Sequence, residues 1–248
     1  RLSRQLRRSE VILERANRLS SLGTLAGGIA HEIRNPLVAV KTFLDLLPER
    51  LNDKDFLVNF RNLSLSELRR VTDLITDLLS LGKTTAAGRR VVALGATLEP
   101  VMRLMESTAH KREVTLVEQL EPGLPPVLAD ADQLKQIALN LILNAIEVSP
   151  PGTSVGLVVR RGTEEVGPQV VVLEVSDQGP GIPHEQLDDI FLPFFTTKDT
   201  GTGLGLAMVH QMVVAHGGQI TVDSVLGSGT TFRVTLPAAH TELANTGT

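Results

Sequence analysis

The sequence predicts a helical hairpin followed by an α/β sandwich with a mixed sheet. Three observations predict it. Apolar residues recur at helical spacing from Ile12 to Leu79. Gly82-Lys-Thr-Thr-Ala-Ala-Gly88 interrupts that periodicity and reads as a linker. Beyond it, helical and strand-like stretches interleave, and the last strands form hairpins, which suggests a mixed sheet with helices on one face.

Residues 1 to about 48 read as one long helix. Ile12, Ala16 and Leu19 begin an apolar seam like a coiled-coil entry, and Leu22, Ala26, Ile29, Ile33, Val40, Phe43 and Leu47 continue it. Pro36 takes the seam position between Ile33 and Val40. Its ring crowds the carbonyl of Glu32, so a bend is expected there. His31 lies two residues from both Ile29 and Ile33. It therefore points about 200° from the seam, toward solvent. Pro48 to Asp53 form a short turn, and Lys54 to Leu81 a second helix. Leu68, Val71, Ile75 and Leu78 share one stripe of it, widened by Leu74 and Leu79. One hairpin cannot bury stripes this wide, whereas two can, as a four-helix bundle. A homodimer through residues 1–82 is therefore expected.

Downstream, Val91 to Leu94 reads as a strand, Leu98 to Ala109 as a helix, Val114 to Glu121 as a strand and Pro122 to Pro126 as a loop. Asp130 caps a helix that runs to about Val148, its apolar face made of Leu134, Ile137, Ala138, Leu141 and Ala145. Strands follow at Ser154 to Arg161 and Val170 to Ser176, then a short helix at Pro183 to Ile190. Leu192 to Thr202 reads as an irregular loop, and Leu204 to His216 as a helix ended by Gly217-Gly218. Ile220 to Val225 and Thr231 to Leu236 form a hairpin around Gly227-Ser-Gly229.

Composition narrows the functions. Of 248 residues 42% are hydrophobic, enough for a sizeable core, while aromatics are 3% with no Trp or Tyr. Base-stacking nucleic-acid surfaces need aromatic platforms, so no nucleic-acid partner is expected. The net charge of −4 gives no general attraction to phosphate backbones or anionic membranes. The absence of Cys excludes disulfides and thiol chemistry. No apolar run reaches the ~18 residues of a membrane span. The chain opens on Arg1 within helical sequence and reads as a piece of something longer. His110, His184, His210, His216 and His240 lack metal-ligand spacing and read as surface or helix-end residues.

Four stretches carry chemistry. His31-Glu-Ile-Arg-Asn35-Pro36 sets an imidazole beside a carboxylate on an exposed helix face. Asn140 and Asn144 lie one turn apart, and their amide oxygens suit a hard cation shared with substrate phosphates. Asp177-Gln-Gly179-Pro-Gly181 follows a strand and is either a tight turn or a carboxylate accepting from a base amino group. Phe191 to Lys198 leads into Gly201-Thr-Gly203-Leu-Gly205-Leu206 at a helix start, where free N–H groups favour anions. That run lacks the Gly-Lys-Ser/Thr ending of a P-loop and does not follow a strand.

Taken in order over residues 20–237, these stretches resemble the core of a sensor histidine kinase: the phospho-acceptor box, the N box, both glycine boxes and the F box, ending at Gly227-Ser-Gly-Thr230. Arg18 to Pro36 looks like the branch with His-Glu-x-x-Asn-Pro. The resemblance implies a coiled-coil-like entry (1–19), a dimerisation and phosphotransfer domain (20–82), a linker (83–89), a Bergerat-type ATP-binding domain (90–237) and a disordered tail (238–248). It implies His31 as phospho-acceptor, Glu32 as partner of its ring and Asn35 as orienting a water for the reverse, phosphatase reaction. ATP would bind through Asp177, Gly179, Gly181, Lys198, Gly201, Gly203, Gly205, Leu206 and Thr230, with Mg²⁺ on Asn144 and Asn140. It also implies a cytoplasmic bacterial protein and a response-regulator receiver domain as partner. Two rivals remain. Related ATPases resemble Glu-x-x-x-Asn where this chain has Asn140, an amide that cannot take a proton from water. The other rival is a scaffold that binds nucleotide without transfer.

Overall fold

The computed structural model describes residues 33–81, 88–162, 169–198 and 201–239. His31, Glu32 and the expected bend beside them lie outside the described residues. Two compact units divide the chain. The helical one reaches Leu78, and the other comprises Leu79–Phe195 and Gly203–Thr248.

In the helical unit, α1 is described over 33–46 and runs through Pro36, which is buried on the seam. Ile33, Val40, Phe43 and Leu47 are half-buried beside it. The helix ends at Leu46, two residues before the expected end, because Leu47–Glu49 tightens into a 3₁₀ turn with Pro48 at its start. The Asp53 carboxylate accepts from the Phe56 amide at 3.0 Å, which starts α2 (Lys54–Leu81). That amide, and Arg50 beside it, hold the Asp53 carboxyl below its ordinary value. Phe43 stacks on Phe56 at 5.5 Å and on Phe60 at 6.1 Å, so the chain doubles back as an antiparallel hairpin. The stripe expected on α2 splits. Leu74 is only 1% exposed, whereas Leu68 and Ile75 remain 52% and 45% exposed. The side chains of Leu78 and Leu79 lie outside the described set.

The second unit opens with β1 (Arg90–Val92), one residue shorter than expected and starting one residue earlier, in antiparallel register with β3 (Val127–Ala129). The sequence reading has no strand at β3. Between them, α3 (Leu94–Lys111) begins a full turn before the expected Leu98 and contains Pro100. Gly95 has low helix propensity, yet burial of Leu94 and Leu98 (2% and 0% exposed) overrides it in this added turn. The main sheet has the order β2-β4-β5-β7-β6. Its strands are β2 (Thr115–Leu120), β4 (Ser154–Gly162), β5 (Val170–Ser176), β6 (Gln219–Val225) and β7 (Gly229–Pro237). Only the β2–β4 pair is parallel, so the sheet is mixed. Val155, Leu157 and Val159 of β4 and Phe232, Val234 and Leu236 of β7 alternate inward against the helices.

α4 (Ala131–Val148) lies across this sheet with all five expected residues buried, joined by Ile142 and Ile146. Each such burial of a large side chain contributes roughly 1.5–3 kcal/mol. The Asp130 carboxylate caps the helix, accepting from the amides of Asp132 (2.9 Å) and Gln133 (3.3 Å). The short helix expected at Pro183 to Ile190 is a single 3₁₀ turn, His184–Gln186, followed by turns. Of that stretch only Ile190 is fully buried, so no apolar stripe holds a longer helix. α5 (Gly205–Ala215) completes the helical layer. Past Pro237 the backbone is still tied: the Ala238 amide donates to Gln169 and that of Ala239 to Pro126, both at 2.8 Å.

On the sheet, Glu174 Oε1 accepts from Arg160 (2.7 Å) and Arg233 (2.6 Å). Burial works to raise the Glu174 carboxyl, but the two guanidinium bonds outweigh it and leave its pKa below the ordinary value. The stability this contributes is present above the ordinary glutamate pKa and is lost as pH falls through the depressed one. Thermal melts between pH 7 and pH 3 should therefore show a loss on acidification that is smaller in Glu174→Gln than in the wild type, the remainder coming from other depressed carboxyls such as Asp53.

Candidate functional site

The loop after β5 is closed by one carboxylate oxygen. Asp177, 9% exposed, accepts through Oδ1 from the Gly179 amide at 2.8 Å and from the Thr230 amide at 3.2 Å. The Asp177 amide returns a bond to the Thr230 carbonyl at 2.9 Å. The loop is thereby pinned to the start of β7. Gly179 allows this approach, since a Cβ there would lie 2.9 Å from both the Val148 carbonyl oxygen and its Cγ2 at the end of α4. Gly181 has φ +73°, and a Cβ would come 2.3 Å from the Val225 carbonyl oxygen. These glycines seat the loop on protein backbone.

Ser224 on β6, which the sequence reading did not single out, joins the cluster. Its hydroxyl accepts from the Ile182 amide at 2.8 Å and donates to the Gly229 carbonyl at 3.0 Å. It carries a single proton, so the Thr230 hydroxyl, 3.0 Å away, must donate to Ser224. Thr230 Oγ1 is then left as an acceptor. No sequence signal marks Ser224, because a serine on an edge strand is ordinary. The register Ser224↔Thr230 is what places it here.

The other end of the site is assembled on α4 and α5. Asn140 and Asn144 are both half-buried. Asn140 Oδ1 accepts from Gln136 at 3.1 Å, and its Nδ2 donates to the Gly205 carbonyl at 3.4 Å. Asn140 thus touches the first residue of α5. Leu204 at that N-cap offers no side-chain oxygen, and no acid sits in the first turn. A Cβ on Gly205 would meet nothing within 4 Å. The amides of Gly205, Leu206 and Ala207 open a helix whose positive end has no side-chain cap. The loop before it is pinched at its neck. The Phe194 amide donates to the Gly203 carbonyl at 3.0 Å, and Gly203, at φ +66°, has room for no Cβ beside the Phe194 backbone.

The structure therefore brings Asp177, Gly179, Gly181 and Thr230 together at the C-terminal end of α4, and Asn140 and Gly205 two turns earlier. The distance along the helix from residue 140 to residue 148 is about 12 Å. Lys198 and Gly201 lie outside that compact unit. The Gly201 amide bonds the Lys198 carbonyl at 3.3 Å, and the Lys198 amide bonds Thr196 Oγ1 at 3.1 Å. Asn35 is exposed on α1.

For a metal the donor set is narrow. Among the described residues no group of three or more His, Cys, Asp or Glu could hold an ion. The amide oxygens of Asn140 and Asn144 are neutral and one turn apart. They fit an octahedral Mg²⁺ that keeps most of its ligands from waters and substrate phosphates, not a caged ion. A shallow cleft of about 460 Å³ between α3 and β2, lined by Met102, Glu106, His110, Leu116 and Glu118 among others, shares no residue with the site.

An uncapped helix start, a buried carboxylate closed by a glycine turn and two asparagines one turn apart are what a nucleotide-binding domain of the histidine kinase and gyrase type would need. Comparison with known proteins agrees. The family model described as Histidine kinase-, DNA gyrase B-, and HSP90-like ATPase matches residues 129–240. That described as His Kinase A (phospho-acceptor) domain matches residues 21–87. Sensor histidine kinase ZraS of Escherichia coli strain K12 is 39% identical over 95% of this chain and 49% of its own length. The mycobacterial sensor histidine kinase MprB is 30% identical, with 60% of this chain covering 97% of that one at a TM-score of 0.51. Histidine kinase ThkA, in a crystal structure with response regulator protein TrrA, has a TM-score of 0.74 at 28% identity, over 91% of this chain and 64% of that one. The chain belongs to the sensor histidine kinase family and carries a histidine kinase catalytic core. It spans about half the length of curated relatives such as ZraS.

The Ser224 node has a measurable weight. Ser224→Ala leaves the Ile182 amide without its acceptor and should cost about 1 kcal/mol in urea unfolding, with faster hydrogen exchange at Ile182.

Proposed function

We propose that this chain transfers the γ-phosphoryl group of ATP to His31, and from His31 to an aspartate on the receiver domain of a response regulator. The observation that carries the reading is the pairing of the Asp177–Thr230 cluster with the Asn140–Gly205 contact on one helix, in a chain that also holds His31-Glu-Ile-Arg-Asn-Pro. The carboxylate of Asp177 and the acceptor oxygen of Thr230, directly or through water, suit the amino group of adenine. Gly179 and Gly181 hold that loop in place. The first amides of α5, at Gly205 and Leu206, suit the phosphates, and Lys198, Gly201 and Gly203 belong to the loop leading to them.

When bound, Mg²⁺ would be held by Asn144 and Asn140 and would offset negative charge on the phosphates. One ring nitrogen of His31 attacks the γ-phosphorus in line. A P–N bond forms, the P–O bond to ADP breaks, and ADP carries the electron pair away. Glu32 accepts the hydrogen bond of the other ring nitrogen, which fixes the tautomer and disperses the positive charge that develops on the ring. Catalysis rests mostly on positioning and electrostatics. In the reverse, phosphatase direction, Asn35 orients a water toward the phosphoaspartate.

The homodimer belongs to the same reading. Leu37 and Leu44 stand seven residues apart on α1 and are each 50% exposed. Val58 and Leu65 repeat the interval on α2 at 57% and 45%. Two such stripes fit a second hairpin in a four-helix bundle. The phosphotransfer partner is a receiver domain, by analogy with the crystal structure of ThkA in complex with response regulator protein TrrA. Use of ATP as donor places the chain on the cytoplasmic side. No described helix is long and apolar enough to cross a membrane.

Incubation with γ-labelled ATP and Mg²⁺ tests the proposal. The expected result is an acid-labile label on the wild type and none on His31→Gln. Free phosphate without labelled protein would instead indicate an ATPase, and neither product a scaffold. Asp177→Asn retains an oxygen for Gly179 and Thr230 but turns an N–H toward the adenine amino group. It should raise the KM for ATP about tenfold or more while the fold persists.

A further inference from the structure

His216, at the C-cap of α5, is not among the site residues, yet it is 5% exposed and both ring nitrogens are engaged. Nδ1 lies 2.7 Å from the Met212 carbonyl, so Nδ1 carries a proton and donates. Nε2 then accepts, and its donor is the backbone amide of Asp130 at 3.0 Å. Asp130 is the N-cap of α4. The ring therefore ties the end of α5 to the start of α4.

This tie has a counterpart. Asn140 donates to the Gly205 carbonyl at the other end of α5. From Asp130 to Asn140 is ten residues of α4, about 15 Å, and from Gly205 to His216 is eleven residues of α5, about 16 Å. The two helices are antiparallel and carry two polar rungs at matching separations. Apolar contacts between them, through Met208, Met212 and Val213 on α5, tolerate sliding. The rungs do not. Gly218 follows the ring in close contact with β7, where a Cβ would lie 2.4 Å from the Thr235 carbonyl oxygen, so the corner has little freedom.

We infer that His216 is a positioning residue: its acceptor nitrogen fixes the register of α5 on α4 and so sets where the first amides of α5 stand relative to Asn140 and Asn144. The inference rests on the nucleotide reading for its consequence, but the rung itself can be tested without nucleotide. Asparagine at 216 keeps a donor for Met212 and loses the acceptor for Asp130, while glutamine places an oxygen where Nε2 stands.

The experiment uses the full 248-residue chain. Hydrogen exchange without nucleotide reads the amides of Asp130 and of Gly205 to Ala207. Titration with the non-hydrolysable analogue AMPPNP and Mg²⁺ reads affinity, and autophosphorylation against ATP separates KM from the maximal rate. For His216→Asn the expected result is faster exchange at both helix ends and about tenfold weaker AMPPNP binding. KM should rise in step, with the rate at saturating ATP within about twofold of wild type. His216→Gln should restore all three values. Variants that behave alike, both unchanged or both impaired, overturn the inference, as does a change confined to the melting temperature. If His216→Asn fails to fold, the glutamine variant decides, a wild-type-like result supporting the rung and an impaired one refuting it. A wild type that binds no AMPPNP counts against the proposed function alone, because exchange at the two helix ends still judges the rung.

Discussion

One oxygen of Asp177 holds the nucleotide-site end of the α/β unit together. By accepting from Gly179 and Thr230 at once, it closes the loop after β5 onto the first residues of β7. Every other placement at that end follows. The loop can press against Val148 at the end of α4 only because Gly179 has no side chain, and Gly181 can pass under the β6–β7 turn only for the same reason. Ser224 and Thr230 then face one another across the hairpin. In the proposed function the same carboxylate also reads the base, so that structure and recognition would depend on one group.

The second constraint is the apolar face of α4. Leu134, Ile137, Leu141, Ile142 and Ile146 are all buried against the sheet, which leaves Asn140 and Asn144 on a different side of the helix. The helix acts as a ruler. Its C-terminal end meets the glycine loop and its middle meets the start of α5, about 12 Å apart along the axis. Packing energy thereby fixes a distance between two polar groups that never touch each other.

Much of this was legible in the sequence, and the reasons are local. α4 declared itself because a capping aspartate precedes an uninterrupted apolar period. β5 declared itself by a continuous β-branched apolar run, and the late hairpin by strand-like stretches around a glycine turn. What escaped notice depends on partners far away in the chain. Val127–Ala129 is too short to signal a strand and exists because Arg90–Val92 pairs with it. The first turn of α3 hides behind Gly95, whose local preference yields to burial of Leu94 and Leu98. The split of the α2 stripe was invisible because period alone cannot tell which apolar positions face the sister helix and which remain exposed. Ser224 and the buried role of His216 depend on strand register and helix crossing, neither of which one sequence displays.

The most direct measurement of the central claim is a comparison of ATP with inosine triphosphate as competitors for the same site. The two differ where adenine has an amino donor and hypoxanthine a carbonyl acceptor. If the Asp177 carboxylate reads the base, the inosine nucleotide meets acceptor with acceptor and should bind at least about tenfold more weakly. Equal affinity for the two would contradict the account, because it would mean that the carboxylate at the centre of the loop does not read the base.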